Sequence, residues 1–311
     1  MIDPGLTDRV ALVTGANNPL GIGAAIARVL ASQGVRIFLH YYRQGDERKG
    51  QEQPDGPGPS DQPAHPEGQP TEPGLELYFA QQAKSADEVV ASIRQAGGTV
   101  EAWEGDLREA STVDTLFQQA EAAFGQVDIL VNNAAAYLAD TFLPPKSSGE
   151  AVTLWDGGPV ISTIDAASHD RHFAVNSRAA VLLTARFARR IIDRGTHWGR
   201  VVNISADCAW GCPQEISYRA SKYALESYSR SAAAELGPHG ITVNVVSPGP
   251  VQSGYISAEM EDQLVQEIPL RRIGHPEDIA DAVVFFTSQQ ASWITGQVIF
   301  VHGGHRMALG V

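Results

Sequence analysis

Short runs of apolar, largely β-branched residues alternate along the chain with longer stretches whose apolar positions recur every three or four residues. The first run, Val10-Ala-Leu-Val-Thr14, meets a glycine-rich turn from Gly15 to Gly23, and an alanine-rich helical pattern from Ala24 to Ala31 follows. A second run, Arg36-Ile-Phe-Leu-His40, begins just after Gly34, which suits a helix C-cap. Strand, helix and strand within about 30 residues form a βαβ unit, which requires parallel pairing and a right-handed crossover. The alternation continues, predicting strands at Thr99–Glu104, Asp128–Asn132, Gly199–Ile204, Ile241–Val246 and Gln297–Val301. Helices are predicted at Gln81–Ala96, Glu109–Phe124, Ser168–Asp193, Ser217–Leu236 and Pro276–Ser288. Seven strands and six helices in this order read as an α/β fold, a single doubly wound Rossmann-type domain with a seven-stranded parallel sheet.

Two insertions interrupt the rhythm. Residues 44–74 hold seven prolines and six glycines, and Ala64 is their one aliphatic residue. Such a segment buries too little apolar surface to offset ordering, so a disordered or loosely held loop is expected there. The second insertion, about Ala139 to Ala167, carries Trp155 and enough apolar residues to pack on something. The alternation resumes after each, so neither reads as a linker between domains.

Composition narrows the function classes. At 311 residues and 43% hydrophobic, the chain can bury a sizeable core. Its net charge of −13 repels phosphate backbones and anionic lipid, which argues against nucleic-acid and membrane-surface roles. No apolar run approaches the ~20 residues of a spanning helix, and the first residues show no basic-then-apolar leader. Two cysteines, Cys208 and Cys212, make no disulfide framework, and a cytoplasmic location is expected.

The candidate chemistry sits where strands end. The turn Thr14-Gly15-Ala-Asn-Asn-Pro-Leu-Gly21-Ile-Gly23 joins a strand to a helix, where backbone N–H groups suit an anionic diphosphate. The general GxGxxG fingerprint is not met, because Ile26 takes the place of the third glycine. Tyr218 and Lys222 stand at i and i+4 of a predicted helix and so share a face. A cation about 4 Å from a phenolate stabilises it by on the order of 4 kcal/mol at an effective dielectric near 20. That moves a tyrosine toward general acid/base work near neutral pH. Ser205 ends a predicted strand thirteen residues before Tyr218.

Together the glycine turn, Asn132-Asn-Ala-Ala135, Asn176, Ser205, Tyr218 with Lys222, and Pro248-Gly249 resemble the short-chain dehydrogenase/reductase family. They are most similar to its YxxxK carbonyl-reducing branch, which includes the 3-oxoacyl-carrier-protein reductases. The likeness runs from Val10 to Gly304 outside the insertions, and includes Arg272 to Ile279 and Ile294 to Val298. It implies that Tyr218 protonates a substrate carbonyl oxygen while a nicotinamide delivers hydride to its carbon. Lys222 then lowers the Tyr218 pKa and bonds the nicotinamide ribose, Ser205 holds the carbonyl oxygen, and Asn176 holds a relay water. The implied cofactor contacts are Gly15, Asn17, Asn18, Gly21, Ile22 and Gly23 at the phosphates, and Asp106 and Leu107 at the adenine. Asn133 and Ala134 line the cofactor, and Pro248, Gly249, Val251 and Ser253 form the loop over the nicotinamide amide. The substrate implied is a small carbonyl or alcohol, and the assembly a homotetramer or homodimer through the two longest helices.

Four departures accompany the likeness. Five residues, rather than three, separate Gly15 from Gly21, so phosphate contacts are expected to be shared with Asn17 or Asn18. Ala135 replaces the glycine of the usual NNAG. Relatives often end the fifth strand with two serines, the second catalytic. Here the pair is Ser205-Ala206, and tyrosine spacing favours Ser205 whereas strand register favours Ala206. Finally, the first insertion follows the strand that binds the adenosine ribose.

The cofactor choice turns on the end of that strand. It reads His40-Tyr41-Tyr42-Arg43, without an acid for a ribose 2′-hydroxyl, and Arg43 is placed to meet a 2′-phosphate, which favours NADP(H) over NAD(H), with Tyr41 a further cofactor contact. No metal site is expected, since the two cysteines lack nearby histidine ligands and His169-Asp-Arg-His172 reads as a solvated helix start. Trp155, Trp210 and Tyr255 are pocket or packing residues. Glu259, Glu261, Asp262 and Glu267 in the region of the substrate loop give no support to an anionic carrier protein as substrate. A catalytically silent sensor or assembly protein is the rival reading, and intact Tyr218 and Lys222 argue against it. An NAD-dependent alcohol dehydrogenase, a dehydratase or an epimerase would use the same residues.

Overall fold

The computed structural model describes residues 3–44, 70–144, 161–207, 209 and 211–305. In chain order the elements are β1 (Val10–Thr14), α1 (Ile22–Ser32), β2 (Arg36–Tyr41), α2 (Leu75–Gln82), α3 (Asp87–Gln95), β3 (Val100–Glu104), α4 (Ser111–Phe124) and β4 (Ile129–Asn132). Then come β5 (Asp140–Thr141), β6 (Ser162–Thr163), α5 (Ala166–Phe173), a π-helical stretch (Ala174–Ala179), α6 (Ala180–Asp193), β7 (Gly199–Ile204) and α7 (Ile216–Leu236). The chain closes with β8 (Ile241–Pro248), α8 (Ala258–Glu267), α9 (Pro276–Thr287) and β9 (Val298–Val301).

Seven strands form one parallel sheet in the order β3-β2-β1-β4-β7-β8-β9. The inner strands β1, β4, β7 and β8 are buried on both faces because helices cover both, so successive residues feed two different cores. Ala11 and Val13 of β1 pack with α1, α3 and α9 (Ile26, Ile93, Ile279), whereas Val10 and Leu12 face α4 and α6 (Phe117, Phe187). Chain order reverses between β1 and β4. A crevice opens there at the carboxyl ends of the strands, where α/β sheets bind ligands.

The seven strands stand where the apolar runs place them. The helices differ more. The stretch expected as one helix, Gln81–Ala96, is two, α2 and α3, because the Asn17 amide donates to the carbonyls of Gln82 and Lys84, both at 2.9 Å, and takes up the end of α2. Asp87 and Glu88 then favour a fresh start for α3. The expected helix Ser168–Asp193 begins earlier, at a capping box of Asp165 and Ser168, and is broken by the π stretch. Helix α8 was not anticipated. Residues 45–69 of the Pro/Gly-rich segment lie outside the described residues. So do 145–160 of the second insertion, whose flanks pair as β5 and β6.

Asp140 joins those flanks to α7. Its buried carboxylate accepts from the Ser217 N–H at 2.9 Å and from the Ser168 hydroxyl at 3.2 Å. This satisfies one of the otherwise orphaned donors of the first turn of α7. Asp140→Ala is therefore expected to lower unfolding free energy by about 2 kcal/mol, as the loss of a buried charged cap does. Urea denaturation measures it, and an unchanged midpoint with an unchanged m-value would refute the clamp.

Candidate functional site

The glycine turn leads into α1 with Gly21 as N-cap and no side chain bonded to the first turn, so the leading N–H groups face outward for an anion. Gly15 adopts φ +69°, and a Cβ on it would stand 2.6 Å from the Ala134 Cα. A Cβ on Gly23 would stand 2.5 Å from the Asn133 amide nitrogen. Both glycines are thus required by the approach of the β4 end to the turn. Thr14 fixes that approach, its hydroxyl accepting from the N–H groups of Asn133 and Ala134, both at 3.0 Å. The Asn133 amide donates to the carbonyls of Thr14 and Gly15 at 2.9 and 2.8 Å.

Asn17 and Asn18 are brought to the turn, but their side chains are turned into the protein. Asn17 holds the end of α2, and Asn18 donates to the Ser253 carbonyl at 3.0 Å and accepts from the Leu20 N–H at 2.9 Å. Any phosphate contact from these two residues falls to their backbone. The Asn18–Ser253 bond draws the 248–253 loop over the turn. Pro248 accepts from the Asp207 N–H, Gly249 lies against His302, and Val251 bridges to Gly274.

At the far end of the crevice, Tyr41 closes β2, with Arg43 just beyond it. The Arg43 guanidinium is not a waiting cation, because it pairs with Glu104 at 2.8 Å and its Nε reaches both carboxylate oxygens. Asp106 pairs likewise with Arg108, whose Nη2 donates to the Tyr42 hydroxyl at 3.0 Å. Leu107 is buried in the core, so only its backbone faces the crevice.

Helix α7 carries the reactive candidates. Tyr218 is half-buried, edge-to-face with Tyr137 at 5.1 Å and near His172 at 6.2 Å. Burial pushes its phenol well above the ordinary value. Arg219 opposes that shift, and Glu215 adds to it. Lys222 is buried, its ammonium 5.8 Å from the Tyr218 ring centre and donating to the Ile204 carbonyl at 2.8 Å. Burial, with Arg219 adding, brings it down to about 7. The cation opposing the rise of the phenol in this structure is Arg219, whereas the sequence pointed to Lys222.

Asn176 lies in the π stretch, a kind of turn frequent at functional sites. Its amide donates to the Ala136 carbonyl and the Ser221 hydroxyl, both at 2.9 Å, and accepts from the Ala136 N–H at 2.8 Å. Ser221 in turn donates to the Tyr218 carbonyl, so Asn176 braces the helix that holds Tyr218.

Ser205 is the residue the resemblance assigns to the carbonyl oxygen. Only 3% exposed, it turns its hydroxyl to Glu226 of α7, donating at 2.8 Å, instead of toward Tyr218. Asn203 and Ser205 project from the same side of the chain toward α7, and Ala206 has no hydroxyl to offer. The next residue, Asp207, is held by Arg219 and His305.

Around Tyr218 the structure gathers Tyr137 and Tyr78, which carried no signal in the sequence, Tyr255, expected as a pocket or packing residue, and His172, which is buried and not part of a solvated helix start. The Tyr137 hydroxyl donates to Glu215 at 2.8 Å, and its ring stands 6.2 Å from Tyr255, which packs on Tyr78 at 5.4 Å. His172 accepts the Leu138 N–H through Nε2 and meets the Ser168 carbonyl through Nδ1, which fixes a neutral tautomer. Trp155, Cys208 and Trp210 lie outside the described residues. Among the described residues no cluster of three or more His, Cys, Asp or Glu could hold a metal, and no helix is long and apolar enough to cross a membrane.

A family model described as Enoyl-(Acyl carrier protein) reductase matches residues 69–306. An uncharacterized oxidoreductase, YjdA of Bacillus subtilis (strain 168), is 32% identical, with 96% of each chain covered. The 3-oxoacyl-[acyl-carrier-protein] reductase FabG of Aquifex aeolicus is 29% identical over 96% of this chain and 98% of its own. Among solved structures, a short-chain dehydrogenase/reductase from Serratia marcescens BCRC 10948 superposes with a TM-score of 0.70 at 29% identity, covering 96% of this chain and 98% of its own.

Burial of Lys222 has a consequence for stability. The unfolded chain protonates this amine near 10.5, the folded chain only near 7, so between those values the unfolded state binds more protons. Stability due to this group therefore rises with pH across that window, and the full penalty is present below about 7. Wild type should gain stability relative to Lys222→Met between pH 7 and 9 in urea denaturation. Parallel pH profiles would show that the amine is not buried in this way.

Proposed function

The chain belongs to the short-chain dehydrogenase/reductase family, and from that premise we propose that it is an NADP(H)-dependent oxidoreductase that interconverts a ketone and a secondary alcohol, with Tyr218 as general acid/base. The family makes it an oxidoreductase of nicotinamide dinucleotides; the phosphate preference, the substrate class and the acid/base are our reading. What chiefly supports it is the pairing of Tyr218 with Lys222 one turn apart on α7, at the edge of the sheet where α1 presents its unbonded first turn.

The turn fits a dinucleotide. The open N–H groups at Ile22 and Gly23 suit its diphosphate, Asn133, Ala134 and the 248–253 loop enclose its middle, and Asp106 and the Leu107 backbone meet its adenine. When bound, the nicotinamide supplies or accepts the hydride. The chain's own residues manage the proton. In reduction the Tyr218 hydroxyl gives its proton to the substrate oxygen, and in oxidation the phenolate takes it back. Lys222 is poised near neutrality and stabilises the phenolate as it forms, which offsets the burial that otherwise keeps Tyr218 protonated. Asn176 acts as a positioning residue through Ser221. The aromatic wall of Tyr78, Tyr137 and Tyr255 suits an uncharged carbonyl compound. The acids of α8 remain unfavourable to a carrier protein.

For the cofactor, Arg43 stays our candidate for a ribose 2′-phosphate, shared with Glu104 and supported by the neighbouring Arg108. The reading also includes homo-oligomerisation through α6 and α7 and a cytoplasmic location. The groove between these helices is lined by Ile192, Leu225 and Tyr228, among others. Light scattering is expected to give a dimer or tetramer, and a monomer at micromolar concentration would remove that part.

Tyr218→Phe should cost at least about 10²-fold in kcat while leaving cofactor binding intact. Ser205→Ala should keep kcat within about threefold, far from the 10²-fold that losing an oxyanion donor costs. NADPH oxidation over a panel of ketones and aldehydes reads both; a Tyr218→Phe enzyme above a tenth of wild-type turnover overturns the acid/base, and a Ser205→Ala collapse restores the serine.

Arg43→Ala should weaken NADPH roughly tenfold and leave NADH nearly unchanged, and Glu104→Gln should shift preference further toward NADPH by freeing the guanidinium. Titration of each cofactor by fluorescence checks this, and a wild type that prefers NADH would refute it.

A further inference from the structure

The sheet has a second edge, at the amino ends of its strands, away from Tyr218. There the Trp198 indole lies between two guanidiniums, Arg9 at 3.9 Å and Arg200 at 4.4 Å from its ring centre. Arg9 has an acid, Asp128 at 3.4 Å. Arg200 has none among the described residues. Only 3% exposed, it donates through Nη1 to the Gly199 carbonyl at 2.9 Å, and its Nε finds no acceptor. The Asp128 carboxylate is already occupied by the Val10 N–H, Arg9 and Gln126.

Two further buried donors stand beside it without partners. Thr242 is the cross-strand neighbour of Arg200 in β8, and its hydroxyl is unbonded, as is the Trp198 Nε1. All three residues line one cleft of about 860 Å³. No Asp or Glu lines it, in a chain whose net charge is −13. Ile241, Ile294 and Trp293, the last 98% exposed, form an apolar part of its wall, and His197, Gln289, Ser292, Thr295 and Gln297 supply uncharged or basic polar groups around the rest.

A buried guanidinium without a counter-ion is costly, and an anion that reaches it recovers that cost. Here burial and Arg9 already hold the Arg200 pKa down to about 10. The guanidinium fork matches a planar carboxylate, and the tryptophan and isoleucine walls match an apolar body. We propose that this cleft binds a small apolar carboxylate, its head on Arg200 and Thr242 and its body along Trp198 and Trp293. The site lies at the opposite end of β7 from Ile204 and Lys222, so it is independent of the dinucleotide crevice.

Calorimetric titration of the full chain with benzoate, with and without saturating NADPH, tests this. Saturable binding at one site, unaffected by NADPH, is expected. Acetate and inorganic phosphate should bind at least about tenfold more weakly, because neither offers an apolar body. Arg200→Met should weaken benzoate at least about tenfold, the loss of one charge-assisted pair, and Trp293→Ala severalfold. Should Arg200→Met not fold, Thr242→Val takes its place with the same expectation of weaker binding. The proposal is overturned by absence of saturable binding, by displacement with NADPH, by equal affinity for phosphate, or by benzoate affinity unchanged in these variants.

Discussion

Helix α7 buries a polar face, and that constraint governs the rest of the molecule. Its inward residues are Ser217, Ser221, Lys222, Leu225, Glu226, Ser229 and Ala233, and only two of them are apolar. Docking such a face on a sheet is costly unless most of its donors and acceptors find partners, because each unmet group costs about 1–3 kcal/mol. The neighbours answer in sequence along its length. Asp140 meets the Ser217 N–H while the Ser217 hydroxyl stays unpartnered, Asn176 meets Ser221, the Ile204 carbonyl meets Lys222, Ser205 meets Glu226, and Asn203 meets Ser229. The last of these extends into the sheet, since Asn203 accepts from Asn132 at 2.7 Å. Moving α7 by a single turn would unpair the whole seam at once, so the position of Tyr218 is held with little freedom.

That seam also decides which side chains are free for chemistry. Ser205 is consumed by Glu226, a carboxyl that burial pushes upward and the serine proton steadies. Were Ser205 to turn toward the crevice, Glu226 would keep only Arg230, 3.6 Å away. In this structure the serine hydroxyl is engaged by α7. Tyr218 escapes the seam because it lies toward the crevice side, where aromatic rings and Arg219 surround it instead of a fixed acceptor.

The same constraint explains how far the sequence could be read. Strands β1, β7 and β8 are legible because parallel strands buried on both faces must be continuous apolar runs. The glycine turn and the Tyr218–Lys222 spacing are legible because both are local. The role of Ser205 was not, since the residue opposite it, Glu226, lies 21 positions away and enters only through the docking of α7. The ion pair of Arg43 was equally hidden: Glu104 stands opposite Tyr41 across β2 and β3, and only that register brings it to Arg43. Asn17 and Asn18 read as phosphate donors because their type and place fit. Their commitment to Gln82, Lys84 and Ser253 depends on loops that no local pattern positions.

Among the described residues two buried cations are without acids, one at each end of β7, and both rest on carbonyls of that strand: Lys222 on Ile204, Arg200 on Gly199. A chain with 36 acids has ample carboxylates to neutralise them, yet spends those acids elsewhere. A neutral carbonyl satisfies one hydrogen bond of a cation but leaves its charge uncompensated, which is why burial lowers the pKa of both groups. Filling either place with an acid would stabilise the folded chain on its own and abolish the pull on an incoming group. At the carboxyl edge the Tyr218 ring centre stands 5.8 Å from the ammonium, and the proposed phenolate would draw on that pull. At the amino edge no such internal partner stands among the described residues, and the proposed carboxylate would meet that charge from outside the chain.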